Sequence, residues 1–330
     1  MARTQTVHPG QSIQAAVNRA HAGDTIIVRP GRYHENVLIK KNGITLRGSG
    51  ASSGGTVLLP PARPSRSVCG QVKSGICVFG DFNFRTGHIK SYVHNVRITG
   101  FMINNFHSFG VVAFAAANTR MDNNSANNNG EYGLTGFAST RTQYVKNRAT
   151  GSGEAGIYVG DSPDAHALVI GNNLSGNSLG IFIRHARGVE VAFNNVQKNC
   201  QGILVLDDGE KGGAGNADIR YNYVHANNKV CRGGDEAPPL SGGGILLLGA
   251  THNTVANNSV LNNGGNKVNS GGIVLISAAP FGGSNAHDNV VRNNTAYRNA
   301  PADIRWDGRG QNNVFYRNHC DRSSPRRICN

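Results

Sequence analysis

The chain has 330 residues, of which 44 are glycine and only 7% are aromatic, a composition that favours short strands and tight turns. It has no apolar run of about 18 residues and no nucleic-acid-binding motif, so we expect neither membrane insertion nor a nucleic-acid partner. Its 33 Lys and Arg against 19 Asp and Glu give a formal net charge of +14. This excess of positive charge favours an anionic polymer such as a polyuronate or a teichoic acid as the partner, and solubility alone is the alternative.

The first 50 residues predict a short helix followed by short strands. Ser12 is a suitable N-cap for an amphipathic helix that contains Ile13 and Val17. Such a helix would cover the apolar open end of a stack of strands. We therefore expect residues 1–50 to form an N-terminal cap and first coil, and residues 51–109 to form irregular early coils.

A repeat begins at Gly110. A glycine followed by an aliphatic residue starts each unit, at Gly110, Gly133, Gly156, Gly180, Gly202, Gly244 and Gly272, and the first four intervals are 23, 23, 24 and 22 residues. Apolar residues alternate after each glycine, as in Ile181 and Ile183, which indicates a strand. The repeat predicts a solenoid with regular coils over residues 110–319, loop insertions at 207–217 and 228–243, and a tail at 320–330.

Asparagine pairs such as Asn194-Asn195 recur at one corner of the repeat. Asparagine tolerates the left-handed backbone of a sharp corner, and its amide can bond the equivalent asparagine one coil away. We therefore assign these residues to the scaffold.

The N-terminal segment, the Gly-Ile pairs and the Asn-Asn corners together resemble the pectin lyase-like superfamily, especially its secreted bacterial β-helix members. The resemblance covers nearly the whole chain. It implies an all-β, single-domain right-handed parallel β-helix over residues 1–330, with the N-terminal helix as its cap. The superfamily contains lyases, epimerases, hydrolases, esterases and non-enzymatic adhesins, so the fold implies no single activity.

Six cysteines occur without a CxxC pair or zinc-ligand spacing. Their positions predict the disulfides Cys69–Cys77, Cys200–Cys231 and Cys320–Cys329. Structural disulfides favour a secreted or extracellular location. We expect a monomer.

Counting five residues from the opening glycines places Asp161, His185 and Asp207 in one column of three successive coils. Neighbouring strands lie about 4.8 Å apart, so these side chains are expected within hydrogen-bonding reach of one another. Arg184 and Tyr158 flank the column. The column predicts an acid–base site, and a purely structural polar ladder is the alternative.

Further residues are expected to bind substrate, because long loops on a rigid solenoid commonly form the walls of a groove. Phe182 offers a ring for sugar stacking. Asp208 and Lys211 lie in the first insertion, Arg187 follows the column, and Arg232 lies in the second insertion. An arginine can pair with the carboxylate of a uronate.

The segment from Tyr158 to His166 is similar to a stretch of mannuronan epimerases, with Tyr158, Asp161, Pro163 and His166 in the same order. Resemblance and column together imply a polyuronate lyase or epimerase. Arg184 or Lys211 would neutralise the substrate carboxylate and His185 would abstract the carbon-five proton. Tyr158 would protonate the leaving oxygen, and Asp161 and Asp207 would orient the imidazole.

Two other functions fit the sequence. One is an inverting glycoside hydrolase, with Asp161 as acid and Asp207 or Asp208 as base. The other is a non-catalytic polysaccharide-binding β-helix of the cell surface or wall.

We expect no cofactor, although Asp161, Asp207, Asp208 and Glu210 supply the oxygen ligands that Ca²⁺ prefers. The other histidines, His252 and His287 among them, show no metal-ligand spacing. The sequence therefore predicts no metal site.

Overall fold

The computed structural model describes residues 2–83, 85–232 and 239–329, so the predicted insertion at 228–243 lies partly outside the described residues. The chain divides into two compact units, residues 1–157 and 158–330. In each unit the chain passes in turn through three parallel sheets, and one such passage is called a coil. The expectation that residues 1–330 form a single domain stays a prediction.

The first unit contains three stacks of parallel strands. Sheet 1 has the order Thr4–Val7, Thr25–Val28, Thr45–Arg47, Arg97–Thr99, Arg120–Asp122 and Gln143–Val145. Sheet 2 has Gly31–His34, Thr56–Leu59, Phe101–Asn104, Ser125–Asn127 and Arg148–Thr150. Sheet 3 has Val37–Ile39, Ile76–Phe79, Val111–Phe114 and Tyr132–Phe137.

The second unit repeats this arrangement. Its sheet 1 has Leu168–Ile170, Glu190–Ala192, Asp218–Arg220, Thr254–Ala256, Val290–Arg292 and Val314–Tyr316. Its sheet 2 has Asn173–Ser175, Asn195–Gln197, Tyr223–His225, Ser259–Leu261, Thr295–Tyr297 and His319–Cys320. Its sheet 3 has Leu179–Ala186, Gln201–Leu206, Gly243–Leu248, Gly271–Ile276, Ile304–Trp306 and Ser323–Ser324.

The strand Ala155–Ser162 contains the boundary between the units. Among the described residues, the remaining strands form three two-stranded sheets. They are Val93–His94 with Ala116–Ala117, Asp81–Asn83 with His88–Ser91, and Val230–Cys231 with Leu240–Ser241.

Two short α-helices and one 3₁₀ turn lie among the described residues. Helix α1 is Ile13–Arg19, α2 is Val68–Gln71, and the 3₁₀ turn is Ala279–Phe281. Ser12 is the N-cap of α1, and its hydroxyl accepts from the Ala15 amide at 3.1 Å. The apolar face of α1 is buried. Its role as a cap on the coils stays a prediction.

The core of the second unit follows the alternation seen in the sequence. Ile181 pairs with Ile203 and Ile183 with Val205, and all four side chains are fully buried. Ile203 in turn pairs with Ile245. The register predicted from the Gly-aliphatic pairs is therefore confirmed for these strands.

Buried asparagines form ladders across the coils of the second unit. Each Nδ2 donates to the Oδ1 of the asparagine in the next coil at 2.9 to 3.2 Å. One ladder is Asn172, Asn194, Asn222, Asn258, Asn294 and Asn318, and the other is Asn177, Asn199, Asn227, Asn263 and Asn299. Each accepting oxygen also takes a backbone N–H of the preceding coil. The predicted hydrogen bonds between equivalent asparagines of successive coils are thus confirmed for these ladder residues.

Three disulfides join Cys69 to Cys77, Cys200 to Cys231 and Cys320 to Cys329, with Cα atoms 5.7, 5.9 and 5.4 Å apart. These separations are normal for the bond. Within the described part of the chain, no helix is long and apolar enough to span a membrane.

Candidate acid–base site

Asp161 and His185 lie at equivalent bends where two strands of sheet 3 end. Their φ angles are 50° and 48°, in the left-handed region. Alanine occupies the same conformation at Ala115 and Ala138 in the first unit. The two bends bring His185 Nδ1 to 3.1 Å from Asp161 Oδ1. The repeat register therefore predicted this pair correctly.

The third member of the cluster is Asp208, whereas the sequence register predicted Asp207. The paired strand ends at Leu206, opposite Arg184, and the Asp207 amide then bonds Leu248 of the next coil. The Asp207 carboxylate accepts from the amides of Gly209 and Ala214 and so holds its own loop. The strand pairing between the two coils therefore ends where the insertion begins. The residue after Asp207 is Asp208, and its Oδ1 bonds His185 Nε2.

Arg184 completes the cluster by an ion pair with Asp208. Its Nε and Nη2 both donate to Asp208 Oδ2, at 3.0 and 2.7 Å. Burial raises the pKa of Asp208, but hydrogen bonds from His185 and Arg184 and the charge of the guanidinium outweigh burial. The pKa of Asp208 therefore lies below its ordinary value, and the carboxylate is ionised at neutral pH.

Exposure separates the two carboxylates. The His185 side chain is 5% exposed and that of Asp208 is 16%, whereas that of Asp161 is 51%. Ionised carboxylates only accept hydrogen bonds, so both bonds to His185 form together when each ring nitrogen carries a proton. The half-exposed Asp161 is thus connected, through the buried ring of His185, to the partly buried Asp208–Arg184 ion pair.

Tyr158 lies beside the cluster but is only 2% exposed. Its ring meets Phe182 edge to face, with centroids 5.2 Å apart, and its hydroxyl lies so close to Gly160 that a side chain there would overlap it. A hydrogen bond joins Tyr158 to Arg184. Burial and the nearby charge of Asp161 raise the pKa of Tyr158 well above its ordinary value. Tyr158 therefore positions Arg184, and its burial does not suit the predicted role of proton donor to a leaving group.

The predicted cations lie at different places around the first insertion. Lys211 is exposed, and the neighbouring Gly212 packs against Pro163, which follows Asp161 by two residues. Arg187 Nη1 lies beside Gly213 in the same loop. Arg232 is exposed next to residues 233–238, which lie outside the described residues.

His166 does not join the cluster. Its ring lies over Gly188, where an added Cβ would be 2.7 Å from Nδ1. The order of residues that is similar to mannuronan epimerases therefore brings Asp161 into the site but leaves His166 outside it.

Coils of three parallel sheets, with this cluster at the strand ends, define a parallel β-helix. Residues 138–280, less than half of the chain, match the family described as right handed beta helix region. No curated protein sequence matches the chain significantly.

Solved structures match over most of the chain at low identity. DFA-IIIase from Arthrobacter chlorophenolicus A6 in complex with DFA-III has a TM-score of 0.69 and 16% identity, with 96% of this chain and 83% of that chain covered. A mutant of the periplasmic alginate epimerase AlgG has a TM-score of 0.53 and 12% identity, with 95% and 83% covered.

The Dettilon tailspike protein gp208 has a TM-score of 0.61 and 14% identity over 97% of this chain. This chain spans only 58% of the tailspike's length. At such identities the three similarities establish the shared fold.

Proposed function

We propose that the chain is a secreted carbohydrate-active β-helix that acts on an anionic polysaccharide as a polyuronate lyase or epimerase. The observation that carries the proposal is the half-exposed Asp161 carboxylate hydrogen-bonded to a buried imidazole, which is itself bonded to the Asp208–Arg184 ion pair. A proton-transfer group held by a buried partner is the usual arrangement of a general base. Three disulfides support the secreted location.

The exposures assign different roles to the cluster members. Asp161 has the surface to meet a sugar, so we propose that it abstracts the carbon-five proton. In a lyase reaction the protonated Asp161 then returns this proton to the departing oxygen as the bond between that oxygen and carbon four breaks. In an epimerase reaction water delivers a proton to the opposite face of carbon five, and Asp161 releases its own proton to solvent. His185 is buried with both nitrogens bonded, so it acts as a positioning residue that stabilises the charge of Asp161. Arg184 is committed to Asp208, which leaves the exposed Lys211 and the half-buried Arg187 as partners for the substrate carboxylate. Neutralising that carboxylate acidifies the adjacent carbon.

The substrate class is supported by charge. A formal net charge of +14 concentrates polyanions at the surface of the protein. The similar structures include a protein called an alginate epimerase and a protein solved with DFA-III. A polyuronate agrees with both the charge and the proposed chemistry.

A hydrolase is the second candidate, because two carboxylates lie on opposite sides of one imidazole. Asp161 would be the acid and Asp208 the base. Backbones two coils apart are about 9 to 10 Å from each other, near the separation of an inverting pair. The His185 ring fills the space between these two carboxylates, so the hydrolase ranks second.

A polymer panel separates these functions. The purified chain is incubated with alginate, pectate, glucuronan and hyaluronan, and ultraviolet absorbance, reducing ends and exchange of carbon-bound protons are recorded. We expect unsaturated ends, or exchange without cleavage. Saturated reducing ends would instead support the hydrolase, and retained binding without any turnover would overturn both enzyme assignments.

A further inference from the structure

A second cluster of side chains lies on a corner of the second unit, apart from the acid–base residues. His252, His287 and Asp288 bring one ligand-type atom each within 4.8 Å of the others. We propose that this cluster binds a borderline divalent metal ion of the Zn²⁺ type. The proposal is independent of the function proposed above.

Backbone pairing brings these residues together. Thr251 pairs with His287 in a parallel bridge, and the His252 amide bonds the His287 carbonyl at 3.2 Å. His252 and Asp288 have left-handed φ angles of 58° and 54°. The same bend in two successive coils turns their side chains to the same corner. The fold itself therefore fixes the spacing of the three groups.

The carboxylate is oriented by a neighbour that is not a ligand. Asn312 Nδ2 donates to Asp288 Oδ1 at 2.9 Å, which turns Oδ2 toward the two rings. Oδ2 lies 2.5 Å from His287 Nδ1 and 3.8 Å from His252 Nε2. Hydrogen-bonded support of this kind is typical of metal-binding carboxylates.

The distances are close to those of a coordinated ion. Bonds of about 2.1 Å to nitrogen and oxygen in a tetrahedral site put ligand atoms about 3.4 Å apart. The observed 3.8 and 2.5 Å lie on either side of this value, so small rotations of the exposed His252 and of the partly buried His287 and Asp288 side chains reach it. His252 is 54% exposed, which lets its ring move and leaves a fourth position for water.

The donor set selects the metal. Imidazole nitrogen suits Zn²⁺, Ni²⁺ and Cu²⁺, whereas Ca²⁺ and Mg²⁺ prefer sites made of oxygen atoms. Two imidazoles and one carboxylate therefore favour a zinc-type ion. Such an ion would join two successive coils at this corner and would stabilise the folded state by an amount that grows with the logarithm of the free metal concentration above its Kd.

The test uses the full chain without a histidine tag, stripped with a chelator and titrated with ZnCl₂ by calorimetry. We expect one equivalent of Zn²⁺ to bind saturably and to raise the melting temperature. Replacing Zn²⁺ by Co²⁺ should give the visible absorption of a nitrogen-coordinated ion. Absence of saturable binding would overturn the proposal.

Variants can be chosen that keep the corner intact. Asparagine already occupies the left-handed bends at Asn216 and Asn312, so His252→Asn and Asp288→Asn suit the backbone. Each should weaken Zn²⁺ binding at least tenfold, and Asn312→Ala should weaken it about tenfold by releasing the carboxylate.

Two further variants are matched controls. His225→Asn removes a histidine that stacks on Tyr223 outside the cluster, and Asp208→Asn alters the acid–base site. Both should bind Zn²⁺ as the parent chain does. Zinc binding that survives His252→Asn combined with Asp288→Asn, or that is lost in Asp208→Asn alone, would contradict the assignment to this corner.

Discussion

At the scale of single residues, His185 is the part of the candidate site most sensitive to substitution. Its ring is the link between the exposed Asp161 and the partly buried Asp208. We expect His185→Ala to reduce turnover of the polyuronate at least a hundredfold, because Asp161 loses its partner. Alanine fits the bend, since Ala115 and Ala138 have the same backbone conformation. Turnover and the melting temperature are measured together.

The control for this variant is His225→Ala, which should leave turnover unchanged. If His185→Ala converts the polymer as fast as the parent chain does, the cluster does not take part in catalysis. If His185→Ala loses activity and also melts at a much lower temperature, the loss could come from unfolding alone. Asp161→Asn separates the two causes, because it alters only the exposed carboxylate and should stop turnover in a stable protein.

Calcium is a second question at this scale. Both oxygens of Asp207 accept backbone amides, and both oxygens of Asp208 accept from His185 or Arg184. These carboxylates are already satisfied, so we propose that activity does not require Ca²⁺. Turnover should be unchanged when EGTA is added and when CaCl₂ is restored. A loss with EGTA that only Ca²⁺ reverses would contradict this.

Asp122 in the first unit is a buried carboxylate of a different kind. Arg97 binds both of its oxygens at 2.8 and 2.7 Å, and Thr99 and Asn123 donate as well. Burial raises the pKa of Asp122, but these donors outweigh burial and lower it below its ordinary value. The carboxylate therefore contributes stability above its unfolded-state pKa of about 3.9, and loses it as the pH falls through the lower folded-state value.

We expect Asp122→Asn to lower the free energy of unfolding at pH 7 by about 2 to 3 kcal/mol, since charged hydrogen bonds are lost. Denaturant melts at pH 7 and at pH 3 measure the effect. The difference between variant and parent should shrink at the lower pH. A difference that is independent of pH would show that the charge of Asp122 does not matter.

At the scale of structural elements, the asparagine ladders stabilise the stacking of successive coils. Asn258 accepts the backbone and side-chain N–H groups of Asn222 and donates to the carbonyl of Ile219. Asn258→Ala would leave these buried groups without partners, at a cost of about 1 to 3 kcal/mol each. We expect a total loss of at least about 3 kcal/mol in the free energy of unfolding, measured by denaturant melts.

The neighbouring Asn257 offers a matched control. It has a left-handed φ of 56°, and glycine adopts this conformation freely. Asn257→Gly should change the free energy of unfolding by only a few tenths of a kcal/mol. Equal losses for Asn257→Gly and Asn258→Ala would mean that the corner conformation, and not the ladder, stabilises the coils.

The elements also show why some of the site was predictable. Repeats of 22 to 24 residues fix the register, so Asp161 and His185 were found by counting. Counting failed at Asp208, because the strand pairing ends at Leu206 and the insertion that follows no longer keeps the repeat register. It also missed His252 with His287, which are 35 residues apart in sequence because their coil carries extra loop residues.

At the scale of the whole molecule, the charge predicts how the protein meets its polymer. The formal net charge is +14, and the electrostatic range falls from about 10 Å at 0.1 M salt to about 3 Å at 1 M. We expect the affinity for alginate to fall at least tenfold between about 0.05 and 0.5 M NaCl, while a neutral dextran shows no binding. Calorimetry or affinity electrophoresis measures both. Binding that does not depend on salt would exclude charge as its source.

Two charge-reversed variants separate general attraction from binding at the candidate site. Lys211→Glu with Arg187→Glu changes cations at the first insertion, whereas Arg29→Glu with Arg47→Glu changes exposed cations of the first unit. Each pair removes four units of charge, from +14 to +10. If alginate binds at the candidate site, the first pair should weaken binding much more than the second. Equal weakening would show that the polymer responds to the overall charge and not to the site.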